Sequence, residues 1–322
     1  MAVDALRGGI DLGGTKIQAI VADPEHKVLG QARRPTPEAG GPPDVVAVME
    51  EALRDAAGQA GIDPATLLGV GVGAPGAIDE EQGVLARAGN LPGWRDAYPL
   101  GAELGGRLDT TVRLGNDVQV ATDAEFTLGA AREFTSLLGV FWGTGVGGGI
   151  VLDGRPWLGQ GAAGEIGHVV VKRNGALCPC GRRGCMEAYA GRRAMEARAR
   201  KAHADGEKTH LFALMEEKGR DRLTSGIWSR AIDRGDELAT RLVDEAVDAI
   251  GVGVASACNV LDVEAVIIGG GMGVRFGEPY AQAIKAAMLP HLFADDRPPV
   301  MRVAELGDLG GALGAALLVA PR

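Results

Sequence analysis

The sequence contains no uninterrupted run of about 18 apolar residues, the length that a membrane-spanning helix requires. Its first ten residues include Asp4 and lack the apolar core of a secretory signal peptide. Basic residues are in the minority: 33 Lys and Arg stand against 42 Asp and Glu, and the formal net charge is −9. That balance argues against the phosphate-neutralising surface that duplex DNA or RNA requires. We therefore expect a cytoplasmic protein that binds small molecules, with neither a membrane nor a nucleic acid as its partner.

Cysteine is scarce, with four residues in a chain of 322. Cys178, Cys180 and Cys185 fall within eight positions, whereas Cys258 stands alone in an apolar segment. This clustering is closer to metal binding than to a disulfide scaffold. We expect Cys258 to belong to the ordinary core.

Glycine is abundant, with 51 copies, about twice the usual share of ~7%. Neither a collagen-like triplet period nor a low-complexity tract accounts for the excess. Tight turns and close approaches of the backbone remain as its explanation.

Strand patterns alternate with helix patterns along the chain, which predicts an α/β fold, and 322 residues leave room for two domains. Two glycine-rich hairpins are predicted, over 8–30 and 137–159. At an offset of 130 residues Gly13 matches Gly143 and Asp23 matches Asp153, which favours an internal duplication. The alternative is a chance match between two glycine-rich hairpins.

Three glycine-rich loops follow predicted strands, and such loops let backbone N–H groups converge on a phosphate. The segment 9–16 misses the Walker A motif because it ends Gly14-Thr15-Lys16. The segments 143–148 and 71–76 both fit the spacing of the dinucleotide fingerprint, but a strand follows the first and the second contains Pro75. For any single loop, an ordinary hairpin turn is the alternative.

The chain carries seven distinctive motifs, in order: Asp11-x-Gly13-Gly14-Thr15-Lys16, 71–76, Gly115-Asn116-Asp117, Gly143-Thr144-Gly145, Glu165-Ile166-Gly167-His168, the Cys-x-Cys-Gly-x-x-Gly-Cys-x-Glu run over 178–187, and 267–273. This set resembles the ROK family (repressors, open reading frames and kinases) of the actin-like ATPase and sugar kinase superfamily. The resemblance implies an α/β fold of two actin-like (ribonuclease H-like) lobes with an interlobe cleft for nucleotide and sugar. We expect a smaller lobe of residues 1–117 plus 306–322, and a larger lobe of residues 118–305 that carries the zinc-binding loop.

The resemblance also implies a sugar site. Its expected sugar-binding residues are Asn90, Asn116, Asp117, Glu165, His168 and Glu187, and Asp117 is the expected catalytic base. Carboxylates and amides suit a polyol because they pair fixed acceptors and donors with each hydroxyl. For an Asp just before a helix, the alternative role is that of an N-cap.

The nucleotide, ATP, is expected at glycine-rich turns. The residues implied are Asp11, Gly13, Gly14, Thr15, Lys16, Gly143, Thr144, Gly145, Gly269, Gly270 and Gly271, the last three near the adenosine. Asp11 is expected to engage Mg²⁺ through water, and capping a turn is its alternative role. Lys16 contacts phosphate or is a solvated hairpin lysine.

The cysteine cluster supplies three thiolates, and His168 can complete a tetrahedral site with Cys178, Cys180 and Cys185. The matching positions of ROK proteins bind zinc. Four protein ligands leave no open coordination position, so the expected role of the zinc is structural. Reduced or incidental cysteines are the alternative.

The implied function is the ATP-dependent phosphorylation of glucose to glucose 6-phosphate. Fructose, allose, mannose or N-acetylmannosamine could replace glucose, and polyphosphate could replace ATP. The alternatives from other classes are a sugar-responsive regulator and a non-catalytic sugar-binding module. The phosphate loop begins near residue 8, which argues against an N-terminal helix-turn-helix. Family members commonly form dimers, so the resemblance implies a homodimer.

Overall fold

The computed structural model of the protein describes residues 6–320. Residues 1–5, on which part of the signal-peptide argument depends, lie outside the described residues. The same holds for residues 321–322, which end the predicted smaller lobe.

The described residues form twelve strands and ten α-helices. The strands are β1 (Arg7–Leu12), β2 (Lys16–Ala22), β3 (Val28–Pro35), β4 (Gly69–Ala74), β5 (Ala77–Asp79), β6 (Val84–Ala86), β7 (Val112–Asn116), β8 (Leu137–Trp142), β9 (Val146–Leu152), β10 (Arg155–Pro156), β11 (Ala265–Gly269) and β12 (Val300–Val303). The helices are α1 (Pro42–Ala60), α2 (Leu100–Leu108), α3 (Asp117–Thr127), α4 (Glu187–Ala190), α5 (Arg192–Ala204), α6 (Leu211–Glu217), α7 (Ser225–Asp233), α8 (Glu237–Leu261), α9 (Gly270–Met288) and α10 (Gly310–Leu317).

The chain divides into two compact units, each built on a five-stranded sheet. Unit 1 contains the residues up to Arg132, Pro156–Ala163 and the residues from Glu305 onward, and unit 2 contains Glu133–Arg155 and Gly164–Ala304. The strand orders are β3-β2-β1-β4-β7 in unit 1 and β10-β9-β8-β11-β12 in unit 2. In both sheets an antiparallel hairpin is followed by two strands that run parallel to its first strand. This shared order supports the predicted duplication.

Both faces of the unit 1 sheet are covered, and the alternation of side chains along β2 shows how. Ala19 and Val21 pack into the core that α1 and α2 cover, whereas Ile20 and Ala22 pack against α10. A strand with two buried faces reads as a continuous apolar run, which is what β2 shows.

The first boundary between the units falls after Arg132, whereas the predicted smaller lobe ends its first segment at Asp117. The reason is that α3 packs against α10, which lies in unit 1. The small residues Ala312, Ala315 and Ala316 give α10 a buried surface on which the neighbouring elements pack closely.

Helix α9 is the largest element that the sequence does not predict, because its first residues belong to the glycine run 269–273, which is typical of a turn. Gly270 and Gly271 begin the helix, and Gly277 (φ 62°) with Pro279 interrupts it. Glycine and proline are the two poorest helix formers, so local propensity opposed the helix and burial of Met272, Ile284 and Met288 stabilises it. Strand β12 was also not predicted. Among residues 6–320, no helix has the length and apolar character needed to cross a bilayer.

Glycine inside β4 allows α10 to lie directly on the sheet. A Cβ added at Gly71 would lie 1.7 Å from the carbonyl oxygen of Ala315 in α10. The glycines of 71–76 therefore serve packing at this point, and the fit to a dinucleotide fingerprint is accidental.

We predict that Gly71→Ala lowers the free energy of unfolding by about 1–3 kcal/mol or more, because the methyl group must displace α10. Gly58→Ala in α1 is the matched control: a Cβ there meets nothing within 4 Å, so the same change should stabilise by roughly 0.5–1 kcal/mol. Chemical denaturation measures both. Equal effects at the two positions would contradict this account of the packing.

Candidate functional site

In unit 1, candidate residues gather where parallel strands β1, β4 and β7 end. Asp11 of β1 pairs with Gly73 of β4, and Gly73 pairs with Gly115 of β7. Asp11 and the Asn116-Asp117 pair therefore lie together at the edge formed by the carboxyl ends of these strands. A Cβ at Gly73 would lie 2.7 Å from Val120 Cγ2 and 3.5 Å from the Cα of Asp117. Glycine in the middle strand therefore lets the start of α3 come close to the sheet.

Asn116 is the N-cap of α3. Its side-chain oxygen accepts hydrogen bonds from the backbone N–H of Val118 (3.0 Å) and of Gln119 (3.1 Å). Asp117 is the first helical residue, half-buried, and its Oδ1 accepts from the N–H of Val118 at 2.9 Å. The capping role considered for Asp117 thus falls mainly to Asn116. A carboxylate in the first turn is stabilised by the helix dipole.

Asp11 is a half-buried carboxylate at the same edge. Burial raises its pKa, the nearby positive charge of Lys16 opposes that rise, and Asp308 adds to it. A Cβ at Gly311, in the first turn of α10, would lie 2.8 Å from Asp11 Cγ, so this helix also begins against the carboxylate.

The turn between β1 and β2 is closed by a hydrogen bond from the N–H of Gly13 to the carbonyl of Lys16 (2.9 Å). Thr36, which follows β3, stabilises this turn with two hydrogen bonds. Its hydroxyl donates to the carbonyl oxygen of Gly13 (2.6 Å), and its backbone N–H donates to the carbonyl oxygen of Thr15 (3.2 Å). Nothing in the sequence distinguished Thr36. Asn90 adjoins this turn, because a Cβ at Gly14 would lie 3.1 Å from Asn90 Nδ2.

Lys16 forms an ion pair with Asp308, with Nζ 3.3 Å from Oδ1, and Arg33 approaches the other oxygen of Asp308 at 3.5 Å. Asp308 is three-quarters exposed, so such pairs contribute little stability. Lys16 is therefore a paired hairpin lysine beside the turn.

In unit 2, the turn Gly143–Gly145 and the start of α9 lie side by side. Parallel strands β8 and β11 bring them together, with Phe141 paired to Gly269. Gly270 has φ +78°, and a Cβ on it would lie 2.5 Å from the Trp142 carbonyl oxygen. The predicted nucleotide residues of this unit, 143–145 and 269–271, are thus neighbours.

The predicted metal ligands converge in unit 2. The ligand atoms of His168, Cys178, Cys180 and Cys185 all lie within 4.8 Å of one another. Cys180 Sγ is 3.8 Å from Cys185 Sγ, and Cys178 Sγ is 3.8 Å from His168 Nδ1. A tetrahedral zinc ion with bonds of about 2.3 Å separates two sulphur ligands by about 3.8 Å. These residues therefore fit a structural Cys₃His zinc site.

The glycines of the cysteine motif shape the loop that carries the ligands. Gly181 and Gly184 have φ +85° and +86°, and a Cβ at Gly184 would lie 1.9 Å from the carbonyl oxygen of Lys172.

The thiols of the cluster differ in acidity. Burial raises the pKa of the Cys178 thiol to about 12, whereas a hydrogen bond from the backbone of Arg182 lowers the pKa of Cys180 to about 7.

Two of the predicted sugar-binding carboxylates lie next to the metal ligands. His168 Nε2 is 3.8 Å from Glu165 Oε2, so the two ring nitrogens of His168 face different groups. Glu187 Oε1 is 3.9 Å from Cys178 Sγ, and its Oε2 accepts a hydrogen bond from the N–H of Val146 at 3.0 Å. Glu187 therefore links the cysteine cluster to the turn that begins at Gly143.

Comparison with known proteins decides the family. The family model that matches is the ROK family, over residues 7–322. The chain belongs to the ROK family.

Three similar proteins, two known by sequence and one by its crystal structure, are sugar kinases. The chain is 31% identical to the glucokinase of Thermotoga maritima over 98% of this chain and 97% of that protein. It is 32% identical to the N-acetyl-D-glucosamine kinase of Pectobacterium atrosepticum over 96% and 97% of the two chains. A crystal structure of the ROK family glucokinase of Streptomyces griseus, in complex with glucose and AMPPNP, matches with a TM-score of 0.82 at 32% identity, over 98% and 99%. The predicted family, α/β fold class and enzyme class, a hexose kinase, are confirmed.

We predict one zinc ion per chain, removed by Cys180→Ser, because three ligands hold the metal less well than four. Elemental analysis of purified protein measures the zinc, and thermal unfolding should show a midpoint several degrees lower for the variant. Cys258→Ala, which changes the one cysteine outside the cluster, is the matched control and should retain the metal. Wild-type protein without zinc after purification from zinc-supplemented cells would contradict the assignment.

Proposed function

We propose that this ROK kinase transfers the terminal phosphoryl group of ATP to the 6-hydroxyl of glucose. The observation that supports this most strongly is the position of Asp117 at the strand edge that also carries Asp11, in a chain that matches a glucose-bound glucokinase structure over nearly its whole length.

Asp117 acts as the general base in this proposal. Its carboxylate accepts the proton of the sugar hydroxyl while the hydroxyl oxygen forms a bond to the terminal phosphorus. The bond from that phosphorus to the leaving oxygen breaks, and the products are glucose 6-phosphate, ADP and the proton that Asp117 received. Asn116 caps α3 with its oxygen, which leaves its N–H₂ group as a donor for a sugar oxygen.

The remaining sugar contacts are assigned to Asn90, Glu165, His168 and Glu187. In the geometry of unit 2, a metal ligated by Nδ1 of His168 leaves Nε2 as the group that faces Glu165 and the sugar. Bound zinc would fix the conformation of this loop. A site that supplies a partner for every hydroxyl rejects sugars that leave one partner unpaired.

The nucleotide is assigned to the two glycine turns, 13–16 and 143–145, and to 269–271. Asp11 would hold Mg²⁺, which when bound neutralises charge on the phosphates. A carboxylate whose burial raises its pKa is suited to a cation, because the cation restores the favourable surroundings that the charged form lost.

N-Acetylglucosamine is the second candidate substrate, because a relative with that activity is 32% identical to this chain. Polyphosphate is the second candidate donor. A panel of glucose, N-acetylglucosamine, mannose, fructose, allose and N-acetylmannosamine, each with ATP and with polyphosphate, separates these possibilities. Glucose with ATP should give the highest kcat/KM; preference for another pair would replace the substrate assignment and leave the kinase assignment intact.

We predict that Asp117→Asn lowers kcat by about 10²- to 10⁴-fold, because the amide cannot accept the proton. Glucose binding, measured by calorimetry, should change by only a few fold, since the amide still hydrogen-bonds a hydroxyl. Glu81→Gln also replaces a carboxylate by its amide, at an exposed position of unit 1, and should leave kcat and the affinity for glucose unchanged. Turnover of Asp117→Asn near the wild-type rate would show that Asp117 is not the base.

A further inference from the structure

The turn Gly143–Gly145 is held by the segment that follows the cysteine cluster. The backbone N–H of Arg192 donates to the carbonyl of Gly143, and that of Arg193 donates to the carbonyl of Thr144, both at 3.1 Å. The carboxylate of Glu187 also accepts a hydrogen bond from the N–H of Val146, next to the turn. The turn is therefore fixed by contacts that no local sequence pattern around residues 143–145 reveals.

The side chain of Arg192 adds a charged group to this arrangement. One guanidinium nitrogen donates to the hydroxyl oxygen of Thr144 at 2.9 Å, and the other terminal nitrogen donates to the carbonyl of Leu223 at 2.9 Å. Arg192 is half-buried, and burial lowers its pKa, although a guanidinium stays protonated in proteins.

Neither hydrogen-bond partner of this guanidinium carries a charge. Among residues 6–320, no carboxylate forms an ion pair with Arg192. The charge of Glu196 raises the pKa of Arg192 at longer range, and Glu196 is itself ion-paired with Arg200. A partly desolvated positive charge without an ion-pair partner is costly, and an anion at the turn would stabilise it. The site thus already holds the charge that a phosphate group requires.

The contact with Arg192 also determines which way the Thr144 hydroxyl points. A threonine hydroxyl has one proton to donate and oxygen lone pairs that accept. Because Arg192 donates to the oxygen, the proton is left to point elsewhere, and Thr144 is exposed to solvent. An anion that reaches the turn therefore meets a hydroxyl already oriented as a donor.

We propose that Arg192 is a positioning residue for the donor phosphates: it orients the Thr144 hydroxyl and places a positive charge behind the turn. The inference depends on the proposed function, since it takes the donor to be a nucleoside triphosphate. It adds a residue that lies outside the glycine motifs, and it makes the segment after the zinc loop part of the donor site.

The test compares Arg192→Ala, Thr144→Val and the double variant. Each single change should raise KM for MgATP by about tenfold and weaken MgAMPPNP binding in calorimetry to the same extent. KM for glucose should stay within twofold of wild type. Because part of the effect of Arg192 passes through Thr144, the double variant should raise KM for MgATP by less than the product of the two single effects. Arg192→Lys, which keeps the charge, should recover part of the ATP affinity.

Arg193→Ala is the matched control, because this neighbouring arginine is exposed and contacts the turn only through its backbone. It should leave KM for MgATP unchanged. Additive effects of the two single changes, or an unchanged KM for MgATP in Thr144→Val, would overturn the proposal. If Arg192→Ala does not fold, Arg192→Gln takes its place in the same comparison with Thr144→Val and the double variant. Wild-type protein without kinase activity on any sugar would instead refute the proposed function.

Discussion

At several points where the candidate site residues meet the backbone, an added Cβ atom would lie closer to a neighbour than a normal contact allows. A Cβ at Gly145 would lie 2.2 Å from Glu187 Oε2, and one at Gly167 would lie 2.0 Å from the carbonyl oxygen of Val146. Gly73 and Gly311 play the same part around Asp117 and Asp11 in unit 1. At these four positions the site residues are thus brought close to backbone that packs at distances which favour glycine.

The role proposed for Asp11 opposes stability. Because burial raises its pKa above the ordinary value, the folded chain holds the proton more tightly than the unfolded chain does. The stability that Asp11 contributes therefore falls as the pH rises through the interval between the unfolded and folded pKa values, and the residue is a net cost above it. A carboxylate kept in such a place is typical of a functional site. Arg192, a half-buried charge that forms no ion pair in the part of the chain that the structure describes, has the same character in unit 2.

Much of this arrangement could be predicted from the sequence, because it depends on local patterns. Apolar runs and glycine turns predicted both hairpins, and the motif over 178–187 predicted the metal cluster. The rest depends on contacts between distant segments. Thr36 and Arg192 hold the two glycine turns through hydrogen bonds that span 23 and 48 positions, and no spacing in one sequence distinguishes them from other threonines and arginines. Helix α9 was missed because its glycines favour a loop locally while burial in unit 2 favours a helix.

In the proposed reaction, Asp117 activates a hexose hydroxyl toward a phosphate that the glycine turns hold. A crystal structure with glucose, Mg²⁺ and AMPPNP tests it most directly. The account predicts the 6-hydroxyl of the sugar within hydrogen-bond distance of the Asp117 carboxylate, and phosphate oxygens on the backbone N–H groups of the turns at Gly13 and Gly143. A sugar bound with its 6-hydroxyl away from Asp117, or a triphosphate that contacts neither turn, would contradict it.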